Sequence, residues 1–280
     1  MRWFGVLVAL ILLMSGCTTP DDQGDPPQKT DKIPWSAGTH RERIDVDGPG
    51  WREYQLRVPP KAEGPLPLVV AVHGGASTAD RFQQESGFDR VADDHGVLVA
   101  YPDGFALSWN AGACCGPAKA AKIDDVGFLT QLIEHLIDVG AADPDKVFVA
   151  GFSNGGGMAY RLACEGPGRV KGIGVVSASL VIDCAPKHPV SAMIAHGRKD
   201  TSVPYDGGGN RDFDDTRPFA PVSKAVTFFR NDAGIARLTA DGDCRAGNNK
   251  GVRVRFCPHG GGHVWPKTMA ADLWDFFSSL

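Results

Sequence analysis

A chain of 280 residues with 42% hydrophobic and 9% aromatic residues is long enough for one α/β domain with a full-sized core and short for two. Its net charge of -4 and the lack of any Lys/Arg block leave no electrostatic footprint for nucleic acid. The overall composition is also not that of a disordered chain.

The chain opens on "MRWFGVLVALILLMSGC", with a basic Arg2, an apolar run from Trp3 to Met14 and small residues before Cys17. A bilayer span takes about 20 apolar residues, so this shorter run predicts an export signal over residues 1–16. The ending "LMSGC" resembles the lipobox of bacterial lipoproteins, with Met14 where leucine is usual. On that reading Cys17 becomes a lipidated N-terminus, and the lipid is the only route to a membrane. An ordinary secretory signal with a leftover cysteine is the alternative, and both send the protein out of the cytoplasm. Residues 17–36 are polar and proline-rich and predict a flexible tether. The folded part is expected to start near Trp35, with residues 37–280 forming one domain.

Along that domain, "RERIDVDG" and "WREYQLRVPP" alternate like an antiparallel edge pair. "PLVVAVHGG", "VLVAYPD", "KVFVAG", "GIGVVSAS" and "SAMIAHG" are continuous, β-branched runs of the kind buried on both faces of a parallel sheet. Between the second and third of these, "DDVGFLTQLIEHLIDVG" places Phe128, Leu129, Leu132, Ile133, Leu136 and Ile137 on one helical face. Asp124 and Asp125 precede it and predict caps for its free N–H groups rather than a metal or acid pair. "TMAADLWDFFSSL" closes the chain as an amphipathic helix. Strand, helix, strand in repetition predicts a doubly wound, mostly parallel α/β sheet with antiparallel N-terminal edge strands.

The stretch "VFVAGFSNGGGMAYRLA" is the chemical centre of the sequence. A serine hydroxyl is a poor nucleophile unless a base takes its proton and the chain presents its oxygen free of neighbours. "GFSNG" is a G-x-S-x-G nucleophile elbow directly after a strand and before a helix, with Gly151 and Gly155 giving room for a sharp turn around Ser153. The partners of such a serine follow in the order acid, then histidine. "AHGRKDTSVPY" follows a strand and supplies Asp200; "PHGGGHVWP" follows the last strand-like run and supplies His263. Asp206 and Asp212 are rival acids and His259 a rival base, while His196 is expected to support the loop carrying Asp200. The developing negative charge needs preorganised donors, and the backbone N–H groups of Gly75, in "VHGGAS", and Asn154 are the candidates. Trp109 and Trp265 are candidate substrate-lining aromatics, with packing of a loop onto the domain as the alternative for each.

Seven cysteines suit an oxidising compartment, since setting aside Cys17 leaves six. Cys244 with Cys257 across a hairpin and Cys164 with Cys184 between a helix and a loop are the expected pairs. Cys114 and Cys115 are adjacent and either bridge each other or leave some of the six unpaired. No CxxC or His-rich spacing supports a metal, and the chemistry needs no cofactor.

Taken in order, "HGG", "SWNAGACCGPAKAAKIDDVGFL", "DPDKVFVAGFSNGGGMAYRLAC", "HGRKDTSVPY" and "GGGHVWP" resemble the secreted polyhydroxybutyrate depolymerase and feruloyl esterase family, of carbohydrate esterase family 1 type, with its LpqC-like lipoproteins. The likeness covers the chain from about Trp51 to Leu280. It implies an α/β-hydrolase fold and cleavage of carboxylic esters, of feruloyl or acetyl groups on polysaccharide or of 3-hydroxybutyrate oligomers. It maps the catalytic serine, acid and base onto Ser153, Asp200 and His263. The sequence shows no polymer-binding or carbohydrate-binding module. A prolyl-oligopeptidase-like peptidase, which shares fold and residue order, and a non-enzymatic envelope protein on the same scaffold are the other classes considered.

Overall fold

The computed structural model describes Met1 and residues 33–46, 50–212 and 215–280. The expected signal, apart from Met1, the lipidation site Cys17 and the tether up to residue 32 lie outside the described residues. The folded part starts earlier than residue 37. Ile33 is buried in the core, and the Trp35 indole meets His135 edge-on at 6.5 Å and donates to Glu42 at 2.9 Å. Two large apolar side chains gain more by covering the domain than by staying in solvated tether.

In chain order the elements are β1 Gly38–Val46, β2 Gly50–Val58, β3 Leu66–Val72, α1 Ala79–Ser86, α2 Phe88–His95, β4 Leu98–Pro102, α3 Gly116–Ala120, α4 Asp125–Asp138 and β5 Ala142–Phe152. They continue as α5 Asn154–Glu165, β6 Gly172–Val176, β7 Ser191–Gly197, α6 Val222–Asp232, β8 Thr239–Asp241, β9 Cys244–Asn249, β10 Val252–His259 and α7 Met269–Phe277. The described strands form one sheet in the order β1-β2-β4-β3-β5-β6-β7-β10-β9-β8. From β4 through β10 the neighbours run parallel. At one edge β1 and β2 are antiparallel, as the alternation in "RERIDV" requires, and at the other β9 and β8 fold back antiparallel on β10.

Both sheet faces are covered. Phe82, Phe88, Leu273 and Phe277 from α1, α2 and α7 pack one side, and Leu132, Met158 and Phe229 from α4, α5 and α6 pack the other. In α4 the residues Phe128, Leu129, Leu132, Ile133 and Leu136 are buried, each contributing about 1.5–3 kcal/mol by leaving water. The cysteines join Cys164 to Cys184, Cys244 to Cys257, and Cys114 to Cys115 across a cis peptide bond. No helix among the described residues is long and apolar enough to cross a membrane.

The sheet order decides where chemistry can sit. The chain leaves β3 for β4 on one side and returns to β5 on the other, so the carboxyl ends of β3 and β5 lie side by side at a switch point where a crevice opens. The carboxyl ends of β7 and β10 are neighbours in the same way. Four loops distant in sequence therefore meet at the carboxyl end of the sheet.

Candidate active site

Ser153 stands between the last residue of β5 and the first of α5, with φ 54° and ψ -119°. A non-glycine residue there is strained by roughly 1–3 kcal/mol and persists only where its surroundings over-determine it. Here they do. A Cβ on Gly151 would run into the Gly155 carbonyl, and one on Gly155 into the carbonyls of Val72 and His73. The turn is then held by Ser153 N–H donating to Val176 O at 2.9 Å and Gly157 N–H to Ser153 O at 2.9 Å.

His263 reaches this serine from the loop after β10. Its Nε2 lies 2.9 Å from Ser153 Oγ and its Nδ1 2.8 Å from Asp200 Oδ2. With Nδ1–H donating to a carboxylate, Nε2 is left as the acceptor for the serine proton. Asp200 is buried, and its other oxygen accepts from Ser202 N–H at 2.9 Å and Val203 N–H at 2.8 Å. The two loops are laced together just beyond β7 and β10: Arg198 N–H donates to His259 O at 2.8 Å and Lys199 N–H to Gly261 O at 3.0 Å. His196 Nε2–H donates to Val203 O at 2.9 Å, with Asp200 Oδ2 3.5 Å away, so this ring supports the acid loop. Of the rivals, His259 accepts from Gly261 N–H at 3.2 Å, Asp212 accepts from Gly116 N–H at 2.8 Å, and Asp206 is exposed.

The donor side is built from β3. A Cβ on Gly75 would lie 3.7 Å from Asn154 Cβ, which places the glycine turn beside the start of α5. Asn154 clasps Trp109 in both directions, its Oδ1 accepting from Trp109 N–H at 2.7 Å and its Nδ2 donating to Trp109 O at 2.9 Å. The Trp109 indole is fully buried and donates to His73 O at 3.0 Å. Trp109 therefore does not line a substrate surface, contrary to the expectation from sequence. It packs the glycine-rich loop onto the elbow, because an indole has one donor and a large apolar body to hide. Trp265 is half-buried near His263, with its N–H on Ser86 O at 2.9 Å.

Sequence reasoning also misplaced Asp125. Asp124 is the cap of α4, accepting from Gly127 N–H at 2.9 Å. Asp125 is instead wholly buried, 3.0 Å from Arg52 on β2 and 2.7 Å from the N–H of Asn110. Burial pushes its carboxyl up from the ordinary range, opposed by the Asn110 N–H and the Arg52 guanidinium. Arg52 in turn stacks over Phe128 at 4.1 Å. A chain of contacts thus runs from β2 through α4 and Asn110 to Trp109 and the elbow.

Two open cavities flank the Ser153–His263 contact. One of about 540 Å³ is lined by Ser153, Asn154, the Cys114–Cys115 pair, Phe219 and Arg211 among others. The second, about 460 Å³, shares no lining residue with the first and is lined by Gly75, Arg81, Phe152, His263 and Trp265 among others.

Burial also lowers the pKa of His73 and His196 from the ordinary 6.5. Unfolded histidines bind a proton where these do not, so their contribution to stability is complete above the unfolded value and is lost as pH falls through the folded one. The midpoint of chemical denaturation is expected to hold between about pH 8 and pH 7 and then to fall toward about pH 5. His73→Gln, less stable at neutral pH, should lose less over the same range; an equal loss would assign the acid sensitivity to other groups.

Residues 52–212 match the family described as Esterase PHB depolymerase. The Nocardia uniformis subsp. tsuyamanensis protein named "Putative esterase NocK" is 26% identical over 95% of this chain and 90% of its own length. Feruloyl esterase C of Emericella nidulans is 28% identical over 81% of this chain and 83% of its own length. Among solved structures, an acetyl xylan esterase from Aspergillus awamori superposes with a TM-score of 0.63 at 15% identity, covering 87% of this chain and all of that one.

Proposed function

The chain belongs to the esterase PHB depolymerase family, and from that membership we propose that it is an exported serine esterase working through Ser153, His263 and Asp200. The observation that carries the proposal is the His263 ring, 2.9 Å from the serine oxygen on one nitrogen and 2.8 Å from a buried carboxylate on the other. Ser153 Oγ attacks the ester carbonyl carbon while His263 Nε2 takes its proton, and Asp200 holds the ring and stabilises its charged form. The oxygen that gains the negative charge rests on the N–H groups of Gly75 and Asn154, each worth about 3 kcal/mol in such a site. His263 then returns the proton to the leaving alcohol. Water, activated by the same ring, attacks the acyl–serine ester and frees the acid. No step calls for a cofactor.

The substrates proposed are feruloyl or acetyl esters of polysaccharide, or 3-hydroxybutyrate oligoesters, in line with the family and with the feruloyl esterase relative. Trp265, beside His263, supplies an aromatic face for the bound ester. Export is supported by three disulfides, which form and persist in oxidising compartments. With it go a signal over 1–16, a lipid on Cys17, a tether up to about Ile33 and one catalytic domain beyond.

The test is hydrolysis of methyl ferulate, acetylated xylan and soluble 3-hydroxybutyrate oligomers side by side, with a fluorophosphonate label mapped by peptide mass. Turnover of one substrate class with the label on Ser153 is the expected result. No turnover of any, or a label elsewhere, would overturn the proposal.

A further inference from the structure

The cavities on either side of the catalytic contact are not equivalent. The leaving oxygen must take its proton from His263 Nε2, so the alcohol part of the ester lies on the side whose wall includes His263 and Trp265. The acyl part then occupies the opposite cavity, where Ser153 and Asn154 form part of the wall. Much of that wall is apolar: Cys114, Val203 and Phe219 form a buried cluster with Cys115 and Val181 against it. A volume of about 540 Å³ is ample for an acyl chain of several carbons.

Two charged residues stand in this wall. Asp212 is engaged by Gly116 N–H at 2.8 Å and Lys119 Nζ at 3.6 Å. Arg211 differs: its Nε–H donates to Pro218 O at 2.8 Å, which fixes the plane of the guanidinium, and among the described residues it makes no ion pair. The loop is further set by Arg211 N–H donating to Asp215 O at 3.1 Å and by the bridge between Gly208 and Phe219. A guanidinium so fixed, whose outer N–H groups meet no acceptor among the described residues, suits an oxygen acceptor.

Resting on the esterase reading above, we propose that this cavity is the acyl subsite and that Arg211 selects acyl chains bearing a second oxygen acceptor, a carboxylate or ester carbonyl, beyond the scissile carbonyl. The apolar wall takes the carbon chain between the two oxygens. Arg211 is then a specificity-determining residue.

Three esters of one chain length test this: monomethyl adipate, with a free carboxylate; dimethyl adipate, with a second ester carbonyl; and methyl hexanoate, with neither. In the wild-type protein kcat/KM for monomethyl adipate is expected to exceed that for methyl hexanoate about tenfold, mostly through KM, because hydrogen bonds to charged groups are the stronger ones. Arg211→Gln should shrink that ratio to about threefold or less, and Arg211→Lys, which keeps the charge without the fork, should fall between. An advantage confined to monomethyl adipate assigns carboxylate-ended chains, and one shared by dimethyl adipate, counted per ester group, assigns carbonyl-bearing chains. Methyl hexanoate turned over as well as both adipates by the wild type, or an advantage surviving Arg211→Gln, overturns the proposal. These outcomes stand apart from failure of the esterase reading, which would appear as no turnover of any of the three esters or as turnover independent of Ser153. The wild-type comparison and Arg211→Lys decide the matter should Arg211→Gln not fold.

Discussion

Ser153→Ala is expected to lower kcat on the best ester by about 10⁴- to 10⁶-fold while leaving the protein folded. The side-chain hydroxyl meets His263 Nε2, so its loss removes one half-exposed hydrogen bond, worth about 1 kcal/mol and a shift of roughly 2–4 °C in a domain of this size. Catalysis is another matter, because without Oγ there is no atom to form the acyl-enzyme. Residual turnover then comes from water attack on an ester held by the Gly75 and Asn154 donors. Steady-state kinetics with a matched thermal melt decides: a loss under about tenfold would mean that the nucleophile lies elsewhere.

The second large effect is on stability. Asp125→Ala should cost about 3–5 kcal/mol, because it strands the Arg52 guanidinium in a largely buried site and leaves the Asn110 N–H without its carboxylate. Asp124→Ala, one residue earlier, removes only a helix cap and should cost about 1 kcal/mol. Thermal melting of the two variants separates these roles, with shifts of roughly 6–20 °C against 2–4 °C expected. Similar losses in both would reduce Asp125 to a second helix-end residue. Asp125→Ala should also lower kcat, since Asn110 adjoins the Trp109 that clasps Asn154.

The sharp turn around Ser153 was legible because the elbow is a local pattern: five residues, a strand before and a helix after. The parallel strands were legible for a similar reason, since burial on both faces leaves a continuous apolar run. Trp109 was misread because an indole in a glycine-rich loop carries no local sign of whether it faces solvent or core. Its burial is decided by His73, which is 36 positions away, and Asn154, 45 away. Asp125 failed in the same manner. The pair "DD" before a helix has a sufficient local reading as caps, and the competing claim comes from Arg52, 73 residues upstream. The hairpin that folds β8 and β9 onto β10 was visible as a cysteine pairing, but its charged strands lacked the apolar alternation of a core strand.

The division of the catalytic crevice into two cavities has a consequence for how such an enzyme changes its diet. The wall beside His263 is drawn from the turn after β3, from α1 and from the loop that follows β10, whereas Arg211 and Phe219 belong to the connection between β7 and α6. Acid preference and alcohol preference are thus written in separate stretches of one gene. A lengthened or exchanged segment between residues 204 and 220 would retune the acid partner and leave the alcohol wall intact, so lineages sharing this scaffold can diversify along two independent axes.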